Sequence, residues 1–145
     1  MIGKTFSQYK ILSKLGAGGM GEVYLAEDLN LKRQVALKVM PPEMADHPER
    51  LRRFKREAEA VAALNHPNIV TIHTIEEIEG RRFLIMELVE GESLDRVIKP
   101  GGLPLADVLA LAVPLTDALA EAHAKGILHR DLKPANIMVR PDGQV

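Results

Sequence analysis

The chain has no cysteine and no tryptophan among its 145 residues. Without thiols it forms no disulfide, offers no thiolate nucleophile and cannot hold zinc or an iron–sulfur cluster through sulfur. A reducing, cytoplasmic setting is compatible with that. Aromatic residues are scarce, two Tyr and three Phe, so the core must be aliphatic and stacking platforms for single-stranded nucleic acid are lacking. There is no basic excess either. Nineteen Lys and Arg against 20 Asp and Glu leave a net charge of -1, which argues against a phosphate-backbone partner. No apolar run approaches the ~20 residues a bilayer span requires; the longest, 108–113, is interrupted by Asp107, Pro114 and Asp117. Residues 1–10 lack the apolar core of a secretory leader, and the five histidines show no metal-ligand spacing. What remains, 46% hydrophobic and 27% charged residues, is the composition of a soluble globular chain of roughly one-domain size.

The first ninety residues read as β-rich. Residues 9–15 form a strand, Gly16-Ala17-Gly18-Gly19-Met20-Gly21 a loop, and residues 22–27 a returning strand through Val23 and Leu25. The run 34–40 is apolar on both pleat faces except at Lys38, which shares a face with Ala36 and Met40. A helix follows, opened by a capping box of Asp46 and Glu49 around Pro48, with Leu51, Phe54, Ala58 and Val61 as its inner stripe. Glu57 falls at or beside that stripe. His66-Pro67-Asn68 ends the helix, and 69–78 with 82–88 form a second hairpin turning at Glu79-Gly80. From 105 to 125 the periodicity is helical, with Gly126 as the stop. Pro114 predicts a bend there or a boundary between two helices. The apolar set of this helix nearly encircles it, and the chain supplies no second long helix to cover it, so it should expose a large apolar patch and tend to associate.

Three constellations carry chemistry. The glycines at 16, 18 and 21 are ordinary in a flexible hairpin, yet glycines also let backbone N–H groups approach anionic oxygens closely. A dinucleotide fingerprint would require a helix after Gly21, where the sequence alternates like a strand, and no Gly-Lys-Ser/Thr of a Walker loop is present. Lys38 is either a surface lysine of the usual kind or a buried ammonium that needs a partner. Glu57, the one acid on the inner side of the early helix, would pair with it and leave an oriented cation for phosphates. His129-Arg130-Asp131-Leu132-Lys133-Pro134-Ala135-Asn136 is either a solvated charged loop or a catalytic one. In the second case Asp131 accepts a hydroxyl proton, Lys133 neutralises a transferring phosphoryl group and Asn136 ligates magnesium.

Taken in order, Gly16-x-Gly18-x-x-Gly21-x-Val23, Val35-Ala36-Leu37-Lys38, Glu57 in Arg56-Glu57-Ala58, His66-Pro67-Asn68-Ile69-Val70 and the run from His129 to Asn136 resemble the eukaryotic-like serine/threonine protein kinases of bacteria. The resemblance implies an α+β, protein-kinase-like fold: an antiparallel β-rich N-lobe with one helix over 1–90 and the start of a helical C-lobe over 91–145. It implies ATP and Mg2+ as cofactors, protein Ser and Thr hydroxyls as acceptors, and a second kinase chain as a partner. Gly16, Ala17, Gly18, Gly19, Met20 and Gly21 would cover the phosphates. Leu15, Val23 and Ala36 would roof the adenine, Met86 would be the gatekeeper, the backbone of Glu87 and Val89 would bond the adenine edge, and Ser93 would face the ribose. His129 would be a packed structural residue.

The resemblance spans the whole chain and about the first half of the family's catalytic domain. No Asp-Phe-Gly or Ala-Pro-Glu occurs. Residues 137–139 read as a strand, Pro141-Asp142-Gly143 as its turn and 144–145 as the start of a return, leaving the first strand's ladder without a partner. The expectation is a fragment of a kinase that is inactive alone, or else a truncated, non-catalytic module that binds nucleotide or pairs with an intact kinase. Full-length relatives would be anchored to membranes through later segments.

Overall fold

The computed structural model describes residues 1–18, 21–42, 46–128 and 132–145, and residues 17, 18 and 21 by their backbone. Gly19, Met20, His129, Arg130 and Asp131 lie outside the described residues. Contacts divide the chain into two units, Met1–Ala63 with Thr71–Leu88, and Leu64–Val70 with Val89–Val145. The segment Leu64–Val70 therefore groups with the second unit, although it falls within 1–90.

The first unit is a six-stranded antiparallel sheet. Its strands are β1 (Thr5–Phe6), β2 (Tyr9–Gly18), β3 (Gly21–Asp28), β4 (Arg33–Val39), β5 (Ile72–Ile78) and β6 (Arg81–Glu87), in the order β1-β2-β3-β4-β6-β5. Alternation sorts the side chains onto two faces. Phe6, Tyr9, Ile11, Tyr24, Ala26, Val35, Leu37, Phe83 and Ile85 form one closed cluster. The registers Val23↔Lys38↔Leu84 and Leu25↔Ala36↔Met86 place those residues on the other face. The sequence reading missed β1, which is two residues long and too short to show a period.

Among the described residues, one carboxylate of this unit is buried. Asp28 is 2% exposed and accepts hydrogen bonds from Gln8 Nε2 at 3.1 Å, Asn30 N at 3.0 Å and Leu31 N at 3.2 Å. Gln8 in turn accepts from Asn30 Nδ2 at 3.1 Å. Burial of the charge is tolerated because its lone pairs are met, and the network ties the β1–β2 turn to the β3–β4 turn.

The turn expected at Glu79-Gly80 is there, with φ of 52° and 75°. Two positive values are the signature of the type I′ turn that matches strand twist. Glycine takes that backbone freely, whereas glutamate pays in Cβ crowding. Glu79→Asn is expected to stabilise the unit by about 0.5–1 kcal/mol in urea unfolding, because asparagine tolerates the left-handed region. An unchanged midpoint would show that this turn stores no strain.

Helix α1 (Pro48–Ala62) packs its Leu51, Phe54, Ala58 and Val61 stripe inward and lies against β5. The expected capping box is not formed. The N-cap is His47, extended at φ -124° and ψ 90°, with no side-chain cap bond. The cause is Pro48: the residue before proline is pushed out of the helical region, so Pro48 becomes the first helical residue and Glu49 falls one position short of the box. The helix also ends earlier than expected, at Ala62 with Ala63 as its cap, and β5 starts at Ile72 rather than 69.

In the second unit α3 (Leu105–Ala124) runs unbroken through Pro114, which rules out the boundary between two helices. Proline's own φ is helical, and Thr116 Oγ1 donates to the Ala112 carbonyl at 2.7 Å in the same turn. Gly126, at φ 76°, ends the helix as expected. Its N–H bonds His123 O at 3.0 Å and the Ile127 N–H bonds Ala122 O at 2.9 Å, the paired pattern of a Schellman stop. Only Ala118 and Ala122 of α3 are buried, while Leu105, Val108, Leu109 and Val113 are exposed, as the encircling apolar set implied. Among the described residues no helix is long and apolar enough to cross a membrane.

The closing strand is not left without a partner. Strand β7 (Glu92–Ser93), which leads directly into the short helix α2 (Leu94–Val97), pairs antiparallel with β8 (Met138–Val139). The expected turn after β8 is present, with Gly143 N bonded to Arg140 O at 2.9 Å.

Candidate functional site

Strand register brings the expected nucleotide residues of the first unit onto one face. Gly16 pairs with Val23, Val23 with Lys38, and Ala36 with Met86, so these five residues occupy adjacent positions on neighbouring strands. This is the face opposite the closed aromatic–aliphatic cluster. Ala36 is 7% exposed and Lys38 is half-buried. Lys38 has Ala36 and Met40 beside it along the chain and Val23 and Leu84 across it, so its neighbouring positions in the sheet are apolar. Leu15 falls at a register shift between Lys14 and Gly16 and is 48% exposed.

Glu57 is exposed on α1, next to buried Ala58 and beside the inner stripe. The stripe is centred on Leu51, Phe54, Ala58 and Val61, and a turn of 100° per residue carries position 57 to its rim. Glu87 N donates to Thr71 O at 2.8 Å, and Thr71 N donates to the Glu87 carboxylate at 3.1 Å. The backbone donor at Glu87 is thus engaged within the unit.

The glycine segment differs from the loop expected over 16–21. Gly16, Ala17 and Gly18 are the last residues of β2 and Gly21 the first of β3, with Gly18 opposite Gly21. The hairpin is laced by a chain of side chains that sequence reading did not single out. Lys14 Nζ meets Glu22 Oε1 at 3.2 Å, and the Tyr24 hydroxyl donates to Glu22 Oε2. Cross-strand pairing of Lys14 with Tyr24 is the signal that could have found it. The Tyr24 hydroxyl bond, then Lys14, hold the Glu22 carboxyl below 4.5, and the same bond raises the Tyr24 phenol above 10.0. A lowered carboxyl gives stability that is present above about pH 4.5 and lost as pH falls through the folded value; a raised phenol gives stability lost as pH climbs above about 10. Tyr9 is raised too, by burial and then by Asp28, so the alkaline loss has two sources. Tyr24→Phe is therefore expected to reduce, and not abolish, the drop in urea midpoint between about pH 9 and about pH 11. Identical drops in the two proteins would show that the Tyr24 bond contributes nothing.

The second unit holds the remaining candidates. Ser93 is the N-cap of α2, at φ -67° and ψ 148°. Lys133 is extended and exposed, and it precedes a single 3-10 turn at Pro134–Asn136. Asn136 is exposed at the end of that turn, before buried Ile137. Val89 is the first residue of this unit's second segment. Asp131 lies outside the described residues.

The His-Pro-Asn motif also has a defined place here. His66 Nδ1 accepts the Asn68 N–H at 3.0 Å, so in the neutral ring the proton sits on Nε2, which is 3.0 Å from Asp117 Oδ2 on α3. Asn68 Nδ2 donates to the Val145 carbonyl. The short 64–70 segment is thereby tied both to α3 and to the stretch after β8.

The protein kinase domain profile matches residues 9–145. Serine/threonine-protein kinase PrkC of Bacillus subtilis is 42% identical over 147 residues, covering 100% of this chain and 23% of that protein. PknA of Mycobacterium tuberculosis is 44% identical over 151 residues, covering 99% of this chain and 35% of that protein. The crystal structure of the PknI kinase domain of Mycobacterium tuberculosis superposes with a TM-score of 0.84 at 39% identity, covering 95% of this chain and 56% of that one. The chain thus spans about a quarter to a third of the length of these curated relatives and little more than half of a solved kinase domain. On profile, sequence and fold together, the chain belongs to the protein kinase family, in its bacterial eukaryotic-like branch.

Proposed function

We propose that this chain is the nucleotide-binding part of a serine/threonine protein kinase. The observation that carries the reading is the register of β2, β3, β4 and β6, which sets Gly16, Val23, Ala36, Lys38 and Met86 on one face of one sheet. Glycines there leave backbone N–H groups open to phosphate oxygens. Lys38 supplies a cation with an apolar-flanked stem, and Ala36, Met86 and the Glu87 carbonyl offer a surface for adenine. Glu57 steadies Lys38, and Val89 and Ser93 bind the base edge and the ribose. When Mg2+ is bound it neutralises charge that develops on the phosphates, and Asn136 is the residue to hold it. Asp131 takes the proton of a Ser or Thr hydroxyl, and Lys133 stabilises the transferring phosphoryl group. Work in the cytoplasm, where ATP is available, goes with this reading.

A second reading is favoured by one observation, the exposure of Leu105, Leu109 and Val113 of α3. On that reading the chain binds nucleotide or pairs with another kinase chain without catalysis. Calorimetric titration with ATP, with and without magnesium, combined with a γ-phosphoryl transfer assay on a generic protein substrate, tests both. Saturable, magnesium-dependent binding without transfer is the expected result. Transfer that disappears in Asp131→Asn would make the chain a self-sufficient kinase, and absence of any ATP binding would defeat the first reading.

A further inference from the structure

Gly91 stands apart from the other described glycines. Its φ is 150°, and a Cβ there would lie 2.1 Å from the Val139 carbonyl oxygen, 2.8 Å from the Val139 carbonyl carbon and 3.0 Å from Arg140 Cα. All three are backbone atoms, so no change of rotamer relieves the contact. The remaining glycines with positive φ have nothing within 4 Å of that position. At those sites glycine answers a turn; at Gly91 it answers the close approach of two chain segments.

That approach fixes a corner of the second unit. Immediately after Gly91, Glu92 pairs with Val139 and Ser93 with Met138. Leu94 N then donates to Ile137 O at 2.7 Å, and the Pro134–Asn136 turn packs against β7 and α2. Ser93 and Asn136 each adjoin one end of the Leu94–Ile137 bond. Any side chain at position 91 pushes against Val139 and Arg140, beside the Glu92–Val139 and Ser93–Met138 pairs and the bond that follows them.

We propose that Gly91 is a positioning residue that sets Ser93 against Asn136, so that the group assigned to the ribose and the group assigned to the metal are held as one corner. The inference rests on the nucleotide reading above. It implies a division of labour on the ligand: loss of Gly91 impairs recognition of ribose and metal-bound phosphate more than recognition of the adenine ring, most of whose surface belongs to the sheet.

The test compares the wild-type chain with Gly91→Ala, Gly102→Ala and Leu94→Pro. Gly102 has φ 83° and open space around it, so its variant reports backbone strain alone. Leu94 is the first residue of α2 and follows extended Ser93, a place where proline fits a helix, so Leu94→Pro removes the bond to Ile137 without a clash. Amide exchange at Leu94, Met138 and Val139 is measured by NMR, together with affinities for adenine and for Mg-ATP. Gly91→Ala should speed exchange at those amides by about tenfold or more, with Leu37 and Ile85 in the sheet unchanged. It should weaken Mg-ATP binding by about tenfold and adenine binding clearly less. Leu94→Pro should reproduce the Mg-ATP loss, and Gly102→Ala should do neither. Wild-type exchange in Gly91→Ala, equal loss of adenine and Mg-ATP affinity, or wild-type Mg-ATP affinity in Leu94→Pro would overturn the proposal. A wild-type chain that binds neither ligand overturns the nucleotide reading instead, and the exchange rates then decide the place of Gly91 by themselves.

Discussion

Replacing Lys38 by methionine is expected to weaken Mg-ATP binding by roughly 10- to 100-fold, the equivalent of one charge-assisted contact of about 1.5–3 kcal/mol. The same change should move the urea midpoint of the sheet very little. Both halves of the expectation come from where Lys38 stands. Its neighbours are Val23 and Leu84 across the strands and Ala36 and Met40 along its own, so the stem already lies among apolar groups. An unbranched methionine of similar length can occupy the same space. What it cannot do is present a cation to phosphate oxygens. Lys38→Arg sharpens the comparison, because it retains charge but replaces a compact ammonium with a planar fork, and partial binding is expected. The measurement is a pair of calorimetric titrations with ATP and magnesium on folded protein, alongside urea unfolding. If Lys38→Met unfolds the sheet and leaves affinity per folded molecule unchanged, Lys38 is a structural residue and the phosphates are held elsewhere.

What could be read from sequence was local. Strand alternation located β2, β3, β4 and β6 within a few residues, because each has one face in the Phe83 cluster and the pattern of period two survives burial. Glu79-Gly80 and Gly126 were legible because a positive φ at a turn or helix stop selects for glycine at a fixed place. The misjudged features depend on competition or on distance. At the start of α1, two good capping residues lost to a proline that dictates the backbone of His47. The pairing of β7 with β8 joins two-residue strands that show no periodicity, beside a close approach of Gly91 to Val139 that only a residue without a Cβ permits, which nothing near Gly91 in sequence announces. The buried Asp28 network likewise joins Gln8 to Asn30 across two turns. The candidate site was legible as a list of residues, since each type carries its chemistry with it. Its arrangement on one sheet face needed the registers.

The second large effect expected concerns stability. Phe83→Ala should destabilise the sheet unit by about 3–5 kcal/mol, a large part of the 5–15 kcal/mol that holds a typical domain together. Phe83 is fully buried, pairs with Val39 on one side and Glu76 on the other, and its ring meets that of Phe6 with centroids 5.2 Å apart. On one side of β6, β4 is held by its own ladder to β3, which limits collapse onto the space left behind, so most of the cavity term is felt. Phe54 supplies the contrast. It is half-buried on α1, which packs against β5, and Phe54→Ala should cost clearly less, about 1–2 kcal/mol. Urea unfolding followed by far-ultraviolet circular dichroism distinguishes the two through their midpoints, with the slope unchanged if only stability moves. The consequence for binding follows from the faces of the sheet. Phe83 points to the closed cluster while Lys38 and Leu84 share the opposite face, so the alanine variant should bind Mg-ATP with wild-type affinity per folded molecule. The apparent affinity would fall only by the fraction folded, and ATP at saturation should restore part of the lost stability. A variant that folds fully and still fails to bind would mean that the two faces are coupled through the strand that carries both residues.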